Sequence, residues 1–304
     1  MYVNGVFIED TFAEAFPMRA ARVVVTATNL RWAHAAAREL TGFATSVIAC
    51  KCEAAVEREL SPSETPDARP GVSVLLFAMD TESLGKRLVE RIGQTVLTCP
   101  TTSCFDGLPS EERRLTPGRA LRVFGDGFQA SKVIDGRRYW RIPVMDGEFV
   151  VDESFGAAKG VGGGNFLILG LDSQATLAAA EAEVDAIAGM GNVVLPFPGG
   201  VARSGSKIGS RRYKSLVAST NDAYCPTLRA VTASALPDDV DCVLELVLDG
   251  LSETSIRRAM RAGITAACRP GIRAITAGNY GGKLGPHQFP LRELMSGAES
   301  GANP

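Results

Sequence analysis

The alternation of apolar and polar positions repeats four times along the chain. In each copy a strand-like apolar run ends at a polar residue, a segment of helical period follows, and a second apolar run closes the unit. The copies span residues 23–50, 72–100, 165–198 and 242–278. Two such units in each half of the chain predict the order βαββαβ, the split arrangement of ferredoxin-like domains.

The pattern also predicts the bounds of each element. The opening strands are 23–27, 72–80, 165–172 and 242–249, the helices are 29–40, 81–93, 173–191 and 252–269, and the closing strands are 45–50, 94–100, 192–198 and 272–278. Ser173 and Ser252 stand at N-cap positions, while Glu82 and Glu253 fall in first turns, where the helix dipole favours an anion.

We therefore predict an α+β fold made of two tandem ferredoxin-like (βαββαβ) lobes, at 1–150 and 151–304. A doubly wound Rossmann fold is the alternative. That fold requires a glycine-rich turn directly after its first strand, and the residues after 27 supply none.

Further segments lie between and after the repeated units. Residues 61–71 predict a Pro-rich loop between the first two units. Within 119–151, the runs ALRVFGDGF, RYWRIPVM and EFVVD predict hairpin strands, with turns at Asp126-Gly127, Asp135-Gly136 and Asp146-Gly147. The tail after Leu294 predicts disorder.

Composition and charge exclude several classes of protein. The 304 residues are 45% hydrophobic and 22% charged, which is typical of a soluble globular protein. Lys+Arg total 32 against 34 for Asp+Glu, so a net charge of -2 gives no reason to expect nucleic acid or an anionic membrane as partner. An RNA-binding ferredoxin-like domain would also need aromatic RNP strands, which are lacking.

The same features favour a cytoplasmic protein. The N-terminal sequence shows neither the basic segment nor the apolar core of a signal peptide, and no apolar run reaches the ~18 residues of a membrane helix. Seven cysteines, an odd number in a long chain, fit a reducing compartment.

Metal binding is not expected. Two short cysteine pairs, Cys50–Cys52 and Cys99–Cys104, lack a second pair at zinc-finger spacing, and the chain has only 2 histidines, His34 and His287. We interpret these cysteines as buried thiols. Cys99 corresponds in the internal repeat to Phe197, which favours a packing role over a nucleophile.

Glycine-rich segments gather in the second half, at 160–165 (GVGGGN), 196–200 (PFPGG), 204–210 (SGSKIGS) and 279–285 (NYGGKLG). Turn geometry explains any one of them, because glycine accepts positive φ. Four together favour a shared cleft where backbone approaches a ligand. GVGGGN precedes its strand, so it is not a dinucleotide fingerprint, and SGSKIGS lacks the spacing of a P-loop.

Several longer strings resemble those of formylmethanofuran:tetrahydromethanopterin formyltransferases, over about residues 2–294. They are NGVFIEDTFAEAFP (4–17), RPG (69–71), QTVLTCPTT (94–102), FGDG (124–127), GGNF (163–166), FPGG (197–200), SGSKIGS (204–210), STN (219–221) and ITAGNYGG (275–282). The resemblance implies tandem ferredoxin-like architecture, a homo-oligomer (dimer or tetramer) and no permanently bound cofactor. Tetrahydromethanopterin and methanofuran are then the substrates.

The near-neutral, Ala- and Arg-rich composition resembles the bacterial, methylotroph branch of that family more than its acidic archaeal members. This implies one subunit of a formyltransferase/hydrolase complex in formaldehyde oxidation, in which a partner subunit hydrolyses the formyl group to formate. The alternative is a non-catalytic scaffold that binds the carriers while other subunits react. Arg211, Arg212 and Lys214 would then be a landing site for glutamate chains on the furan carrier.

Moving a formyl group between two nitrogens is acyl transfer, which needs an oxyanion stabiliser and a proton shuttle. Glu245 interrupts the apolar strand CVLELVLD, where burial would raise its pKa, and a neutral carboxyl can donate to an oxyanion. Alternatively, Glu245 occupies the wet face of a half-exposed strand. The resemblance implicates a glutamate of this strand in the family's active site, so we choose Glu245 as the catalytic residue.

The matching motifs supply candidate substrate-binding residues. Lys207, beside Ser206, would orient a carboxylate or phosphate of a carrier, unless it is an ordinary surface lysine. Three asparagines would hydrogen-bond the pterin or the formyl oxygen, although asparagine is also a common turn residue. They are Asn165, Asn221 and Asn279. The remaining cleft candidates are Thr101, Thr102, Pro198, Gly199, Gly200 and Tyr280.

Overall fold

The computed structural model describes residues 1–109 and 113–297, and these form a mixed α/β fold. Its α-helices are α1 (Leu30–Thr41), α2 (Val47–Cys50), α3 (Thr81–Arg91), α4 (Pro117–Leu121), α5 (Ser173–Ile187), α6 (Glu253–Ala267) and α7 (Leu291–Ser296). No helix in these ranges is both long and apolar enough to cross a membrane.

The strands of the first half are β1 (Tyr2–Val3), β2 (Val6–Ile8), β3 (Phe12–Thr26), β4 (Glu53–Leu60), β5 (Gly71–Ala78), β6 (Ser103–Asp106), β7 (Arg114–Leu115), β8 (Ala130–Ile134), β9 (Arg137–Val144) and β10 (Gly147–Asp152). Those of the second half are β11 (Phe155–Gly156), β12 (Ala158–Gly170), β13 (Val193–Val194), β14 (Ser206–Ile208), β15 (Ala218–Thr220), β16 (Cys242–Gly250), β17 (Ile272–Thr276) and β18 (His287–Pro290).

Each half is built around one long strand. The order is β4–β5–β3–β6 in the first half and β13–β16–β12–β17 in the second, and all of these neighbours are antiparallel. The central strands β3 and β12 also pair with each other, from Ala20 opposite Ala158 to Phe16 opposite Gly162. One 14-stranded mixed sheet therefore runs through both halves of the described chain.

Helices cover one face of each half. In the second half the helix-side core holds Leu246 and Leu248 of β16 together with Ile256 and Ile264 of α6. Val243 belongs to a separate cluster on the opposite face, with Leu236 and Val240 of the segment that precedes β16. Alternation along the strand therefore assigns odd-numbered residues of β16 to the face away from the helices.

The opening strands and the helices of all four predicted units are confirmed. Ser252 is the N-cap of α6, where its hydroxyl accepts the Ser255 N–H, and Glu82 and Glu253 lie in first turns. At α5 the predicted cap is wrong by one residue. The N-cap is Asp172, whose carboxylate accepts the Ala175 N–H, and such a carboxylate is as effective a cap as a hydroxyl.

Two of the four predicted closing strands are wrong. Residues 47–50 form α2, and α3 continues through a π-helical segment, Ile92–Val96, into turns. The real strands lie further on, as β4 and β6. A short apolar run carries no periodicity that separates a strand from a buried helical turn, so packing decided both segments. Residues 272–278 are confirmed as β17, whereas 192–198 supply only the two residues of β13.

Among the predicted insertions, the strands β9 and β10 are confirmed, and so is the turn at Asp135 (φ 49°) and Gly136 (φ 78°), whereas the strand β8 before that turn was not predicted. The run at 120–128 is not a hairpin strand. It belongs to α4 and a following 3-10 turn, because Pro117 sets a helical φ at the start of α4.

Two further predictions need correction. GVGGGN is not a loop, because residues 160–165 lie within β12, where the sheet register shifts between Val161 and Gly164. The predicted disordered tail begins too early, since α7 continues to Ser296. The rest of that predicted tail, 298–304, lies outside the described residues.

Candidate active site

Glu245 lies in the middle of β16 on the face away from the helices. Its neighbour Leu246 is completely buried in the helix-side core, so Glu245 points the other way. The residue is partly buried, and burial raises the pKa of its carboxyl. A hydrogen bond from Asn165 lowers the pKa, without cancelling the effect of burial. Glu245 therefore keeps its proton to higher pH than an exposed glutamate.

Asn165 belongs to the adjacent strand, β12. Leu167 is the residue opposite Glu245, so Asn165 lies two positions along on the same face. Its Nδ2 donates to Glu245 Oε1 at 2.7 Å, while its Oδ1 is buried without a hydrogen-bond partner in the described part of the chain. Because Oε1 accepts from Asn165, the proton of a neutral Glu245 resides on Oε2.

The loop after β17 closes over this pair. A Cβ on Gly278 would lie 2.8 Å from Asn165 Nδ2, so only glycine lets the loop pass so near. The Tyr280 hydroxyl donates to the carbonyl of Ser206 at 2.9 Å. Burial raises the pKa of Tyr280, and the negative charges of Glu245 and Glu14 raise it further, so the phenol stays protonated.

Lys207 and Asn221 lie on the β14–β15 hairpin, next to Ser206. Lys207 Nζ donates to Asp222, which lies 3.1 Å from a guanidinium nitrogen of Arg211. The hydrogen bond from Lys207 is the main cause that lowers the pKa of Asp222. The Asn221 N–H donates to the carbonyl of Gly205, which holds the base of the hairpin. Lys207 therefore forms an ion pair with Asp222, which lies just after the same hairpin.

Pro198, Gly199 and Gly200 form a tight turn that leads towards Glu245. Gly199 (φ 63°) and Gly200 (φ 82°) both adopt left-handed conformations. Two residues later the backbone of Ala202 exchanges two hydrogen bonds with that of Glu245, at 2.8 and 2.9 Å. The turn thereby places Ala202 directly beside Glu245 of β16.

The structure does not join Thr101 and Thr102 to this group. The Thr102 hydroxyl is buried and donates to the carbonyl of Val96 at 2.5 Å. Thr101 has φ 65°, and its N–H donates to Asp146 at 2.7 Å. Both threonines lie in the first half of the chain, and no hydrogen bond between them and Glu245 is found within residues 1–109 and 113–297.

Asn279 is hydrogen-bonded to the first half of the chain, and its predicted contact with a carrier stays a prediction. Its Nδ2 donates to the Thr11 hydroxyl at 2.8 Å and to the carbonyl of Phe12 at 3.2 Å. Both acceptors belong to the N-terminal end of the β3 region. Asn279 therefore anchors its loop to the sheet.

Glu14 is a site residue that sequence reasoning missed. It is completely buried on β3, and its carboxylate accepts the backbone N–H groups of Gly282 and Leu284 in the same loop. One signal could have found it. Glu14 is an acid within the largely apolar run FAEAFP, just as Glu245 interrupts CVLELVLD.

The group as a whole combines a carboxyl whose pKa is raised by burial, an amide that donates to one of its oxygens, and a neutral phenol. Such a carboxyl can donate to an oxyanion or pass a proton to a departing nitrogen. Within the two described ranges, no three His, Cys, Asp or Glu side chains are grouped so as to hold a metal ion.

Comparison with known families shows similarity over nearly the whole chain. Residues 1–144 match the family described as formylmethanofuran-tetrahydromethanopterin formyltransferase, and residues 147–294 match its proximal lobe. The chain is 59% identical over 303 residues to a relative of that name from Methylobacillus flagellatus, covering 97% of this chain and 100% of the relative. It is 61% identical over 300 residues to one from Methylococcus capsulatus, with the same coverage.

A solved structure gives the same result. The chain is 48% identical, with a TM-score of 0.94, to a chain in the crystal structure of the formyltransferase/hydrolase complex from Methylorubrum extorquens in complex with methylofuran. The match covers 97% of this chain and 98% of that one.

Proposed function

The chain belongs to the formylmethanofuran-tetrahydromethanopterin formyltransferase family, and from this premise we propose that it moves a formyl group between tetrahydromethanopterin and a methanofuran-type amine. The transfer is direct, through a tetrahedral intermediate. The observation that carries the proposal is Glu245, a carboxyl whose pKa is raised by burial and whose Oε2 is free of the hydrogen bond that occupies Oε1.

In this mechanism the acceptor amine attacks the formyl carbon, a new C–N bond forms, and the electrons of the C=O bond move to oxygen. Glu245 Oε2–H donates a hydrogen bond to the resulting oxyanion, and as the intermediate collapses its proton passes to the departing nitrogen. Collapse of the intermediate restores the C=O bond and breaks the old C–N bond. The carboxylate of Glu245 then takes the proton released by the attacking amine.

Several residues around Glu245 would bind the carriers. They are Ser206, Lys207, Asn221, Tyr280, Pro198, Gly199 and Gly200, which lie on the hairpin, the loop and the turn described above. For Asn165 we propose a positioning role through Glu245, and for Asn279 an anchoring role. Binding by Thr101 and Thr102 stays a prediction, and it would require a carrier that extends to the first half of the chain.

We propose that the chain works as a subunit of a formyltransferase/hydrolase complex in formaldehyde oxidation, as a homo-oligomer, with both carriers arriving as substrates. The similar chain in the complex from Methylorubrum extorquens supports this context. A non-catalytic scaffold is not favoured, because the relatives are named for the transfer itself. Cytoplasmic location also stays a proposal, supported by seven free cysteines.

We further propose that the halves are two ferredoxin-like lobes divided near residue 150. The strand orders β4–β5–β3–β6 and β13–β16–β12–β17 support this reading, because each is the order that a βαββαβ lobe requires.

The test of the function is formyl transfer by Glu245→Gln. Glutamine keeps the shape and can still accept from Asn165, but it cannot supply a carboxyl proton. We expect kcat to fall about 100-fold to 1000-fold, with binding of both carriers unchanged by calorimetry. Glu148→Gln, at an exposed ion pair with Arg141, is the matched control and should retain full activity. Full activity in Glu245→Gln would remove Glu245 from the chemistry.

A further inference from the structure

The loop that carries Tyr280 is hydrogen-bonded to a buried carboxylate on β3, that of Glu14. We propose that Glu14 is a positioning residue, which holds Tyr280 near Glu245. The inference rests on the proposed function, since it assigns Tyr280 to the same site. Glu14 itself touches neither Glu245 nor any reacting atom. It acts through the backbone of residues 278–285.

Glu14 is fully buried, and its described hydrogen bonds are both to that loop. One carboxylate oxygen accepts the N–H of Gly282, and the other accepts the N–H of Leu284 at 3.0 Å. The donors lie 268 and 270 residues further along the chain. A buried carboxylate is costly unless hydrogen bonds compensate it, so the side chain and the loop hold each other in one arrangement.

The loop needs such an external support because its own backbone supplies little. Residues 277–286 contain no helix or strand. Gly281 (φ 67°) and Gly282 (φ 79°) take left-handed conformations, and a Cβ on Gly285 would lie 2.2 Å from the carbonyl of Ala15. The loop is therefore pressed against β3 at the point where Glu14 lies, and it is tied down there by side-chain hydrogen bonds.

Tyr280 lies between two such ties. On one side Asn279 is bonded to Thr11 and Phe12, and on the other Glu14 is bonded to Gly282. With both ends fixed, the phenol reaches the carbonyl of Ser206 on the β14–β15 hairpin. Loss of the hydrogen bonds on either side should let Tyr280 move away from the site, while Glu245 and Asn165 stay in place on their strands.

The experiment is a double-mutant cycle between Glu14→Gln and Tyr280→Phe, measured as formyl transfer. Glutamine can accept at only one of its two polar atoms, so one loop N–H loses its partner. We expect Glu14→Gln to lower kcat/KM about tenfold in the wild-type background and at most about twofold in the Tyr280→Phe background. Glu183→Gln, the same change at a buried glutamate of α5, should give equal factors in the two backgrounds.

Hydrogen exchange separates failure of this inference from failure of the function. In Glu14→Gln the amides of Gly282 and Leu284 should lose protection while the rest of the sheet keeps it, whatever the activity. Unchanged protection would overturn the inference, as would equal effects of Glu14→Gln in both Tyr280 backgrounds. If Glu14→Gln does not fold, Asn279→Ala removes the other hydrogen bonds that hold the loop. It should likewise lower kcat/KM more in the wild-type background than in the Tyr280→Phe background. Absence of transfer by the wild-type protein would instead refute the function.

Discussion

The hydrogen bond from Asn165 and the burial of Glu245 shift the pKa of that carboxyl in opposite directions. Burial raises the pKa of Glu245, whereas the amide N–H favours the charged form and lowers it. The balance decides over which pH range the acid is available. Asn165 thus lowers the pKa of the carboxyl that we propose as the proton donor, and it also orients that carboxyl.

Asn165→Ala should therefore change the pH profile as well as the rate. Without the hydrogen bond to the carboxylate, the pKa of Glu245 rises further. Because the protonated form is the active one, the alkaline limb of the kcat profile should move to higher pH. Asn29→Ala, which removes the side-chain cap of α1 in the first half of the chain, should leave that limb in place. A limb that stays fixed in Asn165→Ala would contradict the assigned role.

At the scale of elements, the contact between α5 and α6 contains an uncommon arrangement. Glu183 of α5 is completely buried, and neither of its carboxyl oxygens has a hydrogen-bond partner in the described part of the chain. Burial raises its pKa well above the ordinary value, so the side chain is neutral. Burial is also the main cause that raises the pKa of nearby Cys268 to about 11. Gly263 of α6 leaves the space that Glu183 fills.

Gly263→Ala should destabilise the protein although alanine is the better helix former. The new Cβ would lie 2.8 Å from Glu183 Cγ and 3.0 Å from Ile187 Cδ1. We expect a net loss of up to about 2 kcal/mol in the free energy of unfolding, because an overpacking cost of about 1–3 kcal/mol outweighs the ~1 kcal/mol gained in helix propensity. Urea denaturation measures it.

Gly85→Ala in α3 is the matched helical control. Its Cβ would meet only the flexible Leu115 side chain, at 3.3 Å, so the helix propensity should dominate and the stability should rise or stay equal. Equal losses for the two substitutions would show that packing between α5 and α6 is not tight at Gly263.

At the scale of the whole molecule, a pair of buried acids joins the two halves. Glu53 of β4 and Asp249 of β16 lie close enough to influence each other's pKa, and Glu53 Oε2 and Asp249 Oδ2 are buried with no hydrogen-bond partner in the described part of the chain, so a single proton shared between the two carboxyls would satisfy both. Their other oxygens accept the N–H groups of Val47 and Gly163, at 3.0 and 3.1 Å. Burial raises the pKa of both, and the charge of Glu53 raises that of Asp249 further.

This pair should make the stability fall as pH rises. The folded pair keeps its proton above the pKa of ~4 at which unfolded carboxyls lose theirs, so unfolding releases a proton. The free energy of unfolding then decreases by up to about 1.4 kcal/mol per pH unit until the folded pair ionises. In Asp249→Asn the new amide can donate to Glu53 and so favour its charged form, and the stability should therefore decline less between about pH 5.5 and pH 8.

Urea denaturation across this range measures the slopes. Asp239→Asn, at an exposed acid paired with Arg273, should keep the wild-type slope. Parallel curves for Asp249→Asn and the wild type would exclude the pair as the source.

The sequence by itself determined the elements whose signal is local. The four helices follow from periodicity over ten or more residues, the four opening strands follow from apolar runs of five to nine residues, and the cap at Ser252 follows from side-chain chemistry. Glu245 was a candidate because it is an acid within an apolar strand, and the resemblance to the family decided the choice of it as the catalytic residue. The resemblance of whole strings then indicated the family, which the comparisons confirm.

Only the tertiary structure decided what depends on residues distant in sequence. The short apolar runs at 45–50 and 94–100 contain helical turns instead of strands because of their packing. Their sequences alone are compatible with a strand or with a helical turn. The bond from Asn165 to Glu245 spans 80 residues, and that from Gly282 to Glu14 spans 268. Such contacts exist because β12 lies beside β16 and β3, and strand order is a property of the whole sheet. Local periodicity carries no information about which strand will be the neighbour.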